Sequence, residues 1–196
     1  MSTLELDVRK NIEAAVAAHE RLLKDESIIG SLSRWAEVCS EALSKSGTIF
    51  FAGNGGSFAD AQHLAAEFTG RMLRDRVPLP GVALGTNSSS MSAIANDYGY
   101  EQVFTREIEA WARPGDVLIV LSTSGDSGNV VAAVSAGQAK GVTCFGLTGE
   151  HENELSRRCE VIRVPAMRTD RIQELHILLG HVLCSVTDDI LMQKGC

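Results

Sequence analysis

The chain has 196 residues and a net charge of −7, with 44% hydrophobic and 22% charged residues. That length suits one domain with a sizeable core, and the composition is ordinary for a soluble globular protein. The acidic balance argues against a nucleic-acid partner, which needs a basic face, but allows an anionic small ligand held by main-chain N–H groups.

The N-terminus "MSTLELDVRKNIEAA" lacks the basic start and apolar run of a signal peptide. Residues 4–24 place Leu4, Val8, Ile12, Ala15, Val16, His19 and Leu23 near one helical stripe. Residues 27–45 repeat the pattern with Ile28, Leu32, Trp35, Val38, Ala42 and Leu43. A helical pair over residues 1–46 is therefore expected before the first strand. It serves either packing on its own domain or oligomerisation.

"TIFFA" (48–52) is a short buried-strand run, followed by the glycine-rich loop 53–56 and a helix over about 57–73. "GVAL" (81–84) is a second strand, and helical stretches cover 89–96 and 101–112. "DVLIVLS" (116–122) is a third strand, with a helix over about 127–139 after its loop. "VTCFGLT" (142–148) and "EVIRVP" (160–165) are the fourth and fifth, and a long helix over about 169–193 closes the chain. Strands separated by helices predict an α/β fold: one parallel five-stranded sheet between two helical layers, of the flavodoxin or Rossmann-like kind. The segment "GRMLRDRVPLPG" (70–81) reads as a connection, its three arginines as solvated, so residues 1–196 form a single domain. The longest aliphatic run, Val117–Leu121, is far too short for a membrane span, so the expectation is a cytoplasmic protein with no membrane partner. The five cysteines, Cys39, Cys144, Cys159, Cys184 and Cys196, show no CxxC spacing. They read as reduced thiols, mostly buried, with terminal Cys196 exposed.

Two strand–loop–helix units look alike, "TIFFAGNGGSFADAQ" and "VLIVLSTSGDSGNVV". Ligands of open α/β sheets sit at such carboxyl ends. In the second loop, Ser122, Thr123, Ser124 and Ser127 offer hydroxyls around a glycine, ahead of a helix N-terminus. There is no GxxxxGK[ST] and no GxGxxG, so neither a nucleotide P-loop nor a dinucleotide site is supported. Runs of this kind also merely cap helices and make turns. Two such loops at strand ends favour a phosphomonoester on a sugar.

His63 and Glu67 stand four apart on one helix face. That spacing suits metal ligands and equally suits an ordinary surface pair. On the last helix, Asp170, Gln173 and His181 can face one site. His63, Glu67 and His181 are ligand types that suit zinc or a similar divalent ion, with the Gln173 amide as an unusual fourth. His176 points elsewhere.

With "AGNGGSFADAQHLAAEF", "AIANDYGY", "STSGDSGN" and "DRIQELHILLGH" in this order, the chain resembles the phosphoheptose isomerases of the sugar-isomerase (SIS) domain superfamily over about residues 4–191. The resemblance implies isomerisation of sedoheptulose 7-phosphate to D-glycero-D-manno-heptose 7-phosphate through an enediol, the first step towards nucleotide-activated heptoses. It implies a homotetramer with active sites at subunit interfaces. It implies sugar contacts from Asn54, Gly55, Gly56, Ser57, Asn96 and Asp97, and a phosphate cradle from Ser122, Thr123, Ser124 and Ser127. Glu67 and His181 would be the catalytic pair, and His63, Glu67, Gln173 and His181 the zinc ligands. Asp170 and Gln173 would also lie at the substrate. Phe58 departs from the small residue the family often has there, which could reshape the sugar pocket. Another branch of the superfamily is a catalytically inactive adaptor that binds the replication initiator. Glu67 and His181 together favour the enzyme. A sugar-phosphate sensor would carry an added DNA-binding domain, for which this chain leaves no room.

Overall fold

The computed structural model describes residues 2–194; Cys196, expected as an exposed thiol, lies outside the described residues. Two helices lead, α1 (Thr3–Leu23) and α2 (Glu26–Ser44). Then come β1 (Ile49–Gly53), α3 (Gly56–Thr69), β2 (Gly81–Ala83), α4 (Ser88–Tyr98) and α5 (Thr105–Trp111). The chain ends with β3 (Val117–Leu121), α6 (Gly128–Ala139), β4 (Thr143–Thr148), β5 (Glu160–Arg163) and α7 (Thr169–Gln193). Tyr100–Gln102 and Leu155–Arg157 are single 3-10 turns.

The helix expected over 57–73 stops at Thr69, because Gly70 leaves helical geometry. The stretch 101–112 divides into a 3-10 turn and the short α5.

All strand pairs are parallel, in the order β2-β1-β3-β4-β5. This is the flavodoxin-like order, with its switch point between β1 and β3. The loops after those strands are the two singled out in the sequence.

Alternation along each strand sends side chains to two cores. Ile49, Phe51, Ile119 and Leu121 pack under α1, α2, α3 and α7 with Trp35, Leu64, Phe68 and Leu175. Phe50, Ala52, Leu118 and Val120 pack under α4, α5 and α6 with Phe104, Ile108 and Val134. Trp35 stacks on Phe145 with ring centroids 4.5 Å apart, and its indole N–H donates to Glu160 Oε1 at 3.0 Å. A stacked, hydrogen-bonded tryptophan adds about 0.5–1.5 kcal/mol beyond its area burial. The helical pair thus divides its work: α2 packs on α7 within its own domain, whereas Leu4, Val8, Ile12 and Val16 of α1 stay exposed.

Cys39, Cys144 and Cys184 are buried free thiols and Cys159 is half-buried, as expected. Burial pushes the Cys39 and Cys144 thiols up to about 12, which keeps them unreactive. By length and composition α7 could cross a membrane. Half of its apolar window is buried in the protein, which makes it a core helix.

Candidate active site

The first loop turns sharply at Gly55, whose φ of 57° and ψ of −121° suit glycine. A Cβ added there would meet nothing, so backbone conformation sets the requirement. Gly56 needs space instead: a Cβ would lie 2.6 Å from Gln173 Nε2. Gln173 of α7 therefore rests directly on this loop. Ser57 is buried beneath it.

Asn54 forms a reciprocal amide pair with Asn129 at the start of α6. Its Nδ2 donates to Asn129 Oδ1 at 2.8 Å, and Asn129 Nδ2 returns a bond to Asn54 Oδ1 at 2.9 Å. Tyr100 Oη donates to the same Oδ1 at 3.2 Å. The amide pair locks the β1 loop to the β3 loop. Asn129 and Tyr100 were not singled out in the sequence, although both lie inside or beside the quoted motifs.

In the second loop, Ser122 Oγ and Ser127 Oγ are 3.3 Å apart, and the main-chain N–H of Gly125 donates to Ser122 Oγ. Ser127 is the N-cap of α6 but makes no side-chain cap bond, so its hydroxyl faces its neighbour across the loop. The first N–H groups of a helix lack intrahelical acceptors and favour an anion. The loop is held from behind, where Glu154 N–H donates to Asp126 Oδ1 at 2.8 Å and Leu155 N–H to the Gly125 carbonyl at 3.0 Å. Thr123 and Ser124 line an adjoining cavity of about 310 Å³ with Gly149, His151, Thr169 and Ile172.

The acid–base cluster comes from α3 and α7. Gly180 permits their close approach, since a Cβ there would lie 2.5 Å from buried Leu64. His63 Nε2 and His181 Nε2 are 2.8 Å apart, with the rings edge to face. His63 Nε2 is 3.3 Å from Glu67 Oε1. One ligand atom from each of His63, Glu67 and His181 falls within 4.8 Å of the others. The Glu67 side chain is 16% exposed and that of His63 53%, so the site is open on the α3 side.

Asp60, one turn before His63, escaped the sequence reading. Its Oδ2 is buried without a partner. Burial raises its carboxyl above the usual range, against a pull downward from His63 and His181. No periodicity distinguishes such a carboxylate from a solvated one.

Other expected residues sit apart from this cluster. Asn96 Nδ2 donates to Asp97 Oδ1 at 2.8 Å on the exposed face of α4. Asp170 is engaged by Arg168 and Arg171 at the start of α7, and Arg168 holds its carboxyl below the usual range. Phe58 lies against the turn at Gly85 alongside Phe104. His176, expected to point elsewhere, is fully buried. The three arginines of the connection are not all solvated. Arg76 is buried in an ion pair with Asp188, because the connection folds back over the end of α3.

The model of the SIS domain family matches residues 10–149. A phosphoheptose isomerase of Rhodospirillum rubrum is 49% identical over 82% of this chain and 86% of its own length. A phosphoheptose isomerase of Burkholderia pseudomallei is 42% identical over 95% of each chain. Among solved structures, that of phosphoheptose isomerase GmhA from Neisseria gonorrhoeae aligns with a TM-score of 0.86. It is 38% identical and covers 95% of this chain and all of its own.

Proposed function

The chain belongs to the phosphoheptose isomerases of the SIS domain family, and from that premise we propose how its own residues carry the reaction. The activity is conversion of sedoheptulose 7-phosphate to D-glycero-D-manno-heptose 7-phosphate, the opening step of heptose activation. The inactive-adaptor reading is not favoured, since the chain keeps Glu67 and His181 close together.

A ketose becomes an aldose when a proton leaves C1, an enediol forms, and a proton returns at C2. Between these steps a proton moves from the C1 hydroxyl to the C2 oxygen. One base beside the carbons and one proton carrier beside the oxygens suffice. Glu67, mostly shielded from water, is our base. His181 carries the hydroxyl proton and assists ring opening. Ser122, Thr123, Ser124 and Ser127, with the N-terminus of α6, hold the phosphate. Asn54, Gly55, Gly56, Ser57 and Gln173 contact the sugar, and Asn96, Asp97 and Asp170, which stand apart from the cluster within one subunit, join them at the proposed subunit interface. The observation that carries this reading is the Glu67–His181–His63 cluster, drawn together by α3 and α7.

The same set fits a divalent cation. Two imidazole nitrogens and a carboxylate oxygen converge, and the unpartnered Asp60 carboxylate adds negative charge beside them. His63, Glu67, His181 and the Gln173 amide would hold zinc. Bound there, zinc would polarise the oxygens of the enediol. Glu67 then divides its oxygens between two tasks.

We also propose a cytoplasmic homotetramer with active sites completed at subunit interfaces. Support comes from the exposed apolar stripe of α1 and from the openness of the site at His63. The test of function is incubation with sedoheptulose 7-phosphate after chelation, with and without added zinc, followed by NMR. Aldose phosphate that appears only with zinc is expected. Unchanged turnover after complete metal removal would exclude the zinc assignment, and no turnover under either condition would exclude the substrate.

A further inference from the structure

Within the connection 70–80, Arg76 is nine-tenths buried, at 10% side-chain exposure. Its guanidinium is committed in four directions. Nε donates to Asp188 Oδ2 at 3.0 Å. Nη1 donates to the Phe68 carbonyl at 2.9 Å and the Val77 carbonyl at 3.1 Å. Nη2 donates to the Glu67 carbonyl at 2.8 Å.

The last carbonyls of a helix have no intrahelical partner. Helix α3 ends at Thr69, and the Gly70 N–H satisfies only the Ala66 carbonyl. Arg76 takes the Glu67 carbonyl and shares that of Phe68 with the Leu79 N–H. A cation there also opposes the helix dipole favourably. A planar fork can reach several acceptors at fixed angles, which the single ammonium of lysine cannot do. Asp188 lies on α7, about two turns beyond His181. One guanidinium therefore ties the main chain of Glu67 to the helix that carries His181.

Stability alone gives a poor account of this arrangement. Asp188 Oδ1 is buried without a partner. Buried pairs with unmet polar atoms often contribute no more than apolar side chains of the same volume. What the pair does provide is a fixed last turn of α3.

We propose that Arg76, held by Asp188, is a positioning residue for the isomerisation. It sets where the Glu67 carboxylate stands relative to His181. This rests on the reading of Glu67 as the base. Misplacing a catalytic group by 1 Å costs about 10²-fold in rate.

The test uses full-length Arg76→Lys, the apolar double variant Arg76→Met/Asp188→Leu, Arg74→Ala and Glu67→Gln. Arg74 is the control, since it pairs with Asp189 of α7 from the same connection but in solvent. Circular dichroism and melting would be recorded with kcat and KM, well below each melting point. In both Arg76 variants, kcat should fall tenfold or more with KM within about twofold, while Arg74→Ala stays within twofold of wild type. Wild-type kcat in the folded Arg76 variants would overturn the inference, as would a loss confined to KM. Failure of both to fold would also overturn it, by making the pair a requirement of the fold. Near-normal turnover in Glu67→Gln would remove the underlying reading. Inactive Glu67→Gln beside fully active Arg76 variants would remove this inference alone.

Discussion

In the proposed mechanism Glu67 is asked for two things that oppose each other. A carboxylate bound to a cation is a weaker base, while a base free to move is a weaker ligand. Its two oxygens allow a division, with Oε1 facing His63 at 3.3 Å. His176, on the same helix as His181, shows the opposite use of an imidazole. It is fully buried, and desolvation pushes it down to about 4. The unfolded chain binds a proton there near 6.5 and the folded chain does not. Stability from this group is therefore complete above pH 6.5 and is lost as pH falls towards 4. The difference corresponds to about 3 kcal/mol. Denaturant midpoints measured from pH 7.5 to 4.5 should fall in wild type and fall much less in His176→Leu. Equal slopes in the two proteins would place the acid sensitivity elsewhere.

At the scale of elements, the sheet was legible because a parallel strand buried on both faces must be apolar throughout. "IFFAG" and "VLIVL" admit no other reading at that length. The loops were legible because glycine and serine mark strand ends. The metal-type cluster was half legible. His63 and Glu67 announce a shared face by spacing, but only the α3–α7 contact at Gly180 and Leu64 brings His181 to them. The clamp on α3 was invisible, since Arg76 and Asp188 lie 112 positions apart and an arginine-rich connection looks solvated. Glu107 was invisible for a related reason. Its Oε2 accepts from the Gly85 N–H at 2.6 Å while Oε1 is buried and unpartnered, and burial raises its carboxyl. Nothing in "TREIEAW" separates that glutamate from its exposed neighbour Glu109. Periodicity reports which face is buried, and says nothing about polar groups satisfied by distant main chain.

For the whole molecule, the apolar face left over is the informative feature. Leu4, Val8, Ile12 and Val16 form an exposed apolar stripe along α1. An apolar hollow of about 550 Å³ lies between α1, α2 and α7, walled by Leu22, Ile28, Leu32, Leu179 and Val182. Contiguous exposed apolar surface of this kind suits the proposed association of subunits. Ile12→Glu, at a position 60% exposed, should leave the fold intact and lower the mass found by light scattering. An unchanged mass would move the interface away from α1. At the centre of the proposed mechanism, Glu67 transfers the proton between C1 and C2. This transfer is tested most directly by following sedoheptulose 7-phosphate in deuterated water by NMR, with wild type and Glu67→Gln side by side. Transfer through Glu67 predicts partial solvent deuterium at C2 of the aldose with wild type, from exchange on the carboxyl, and turnover lowered about a hundredfold or more in the variant. A folded Glu67→Gln protein that turns over within a few-fold of wild type would contradict it.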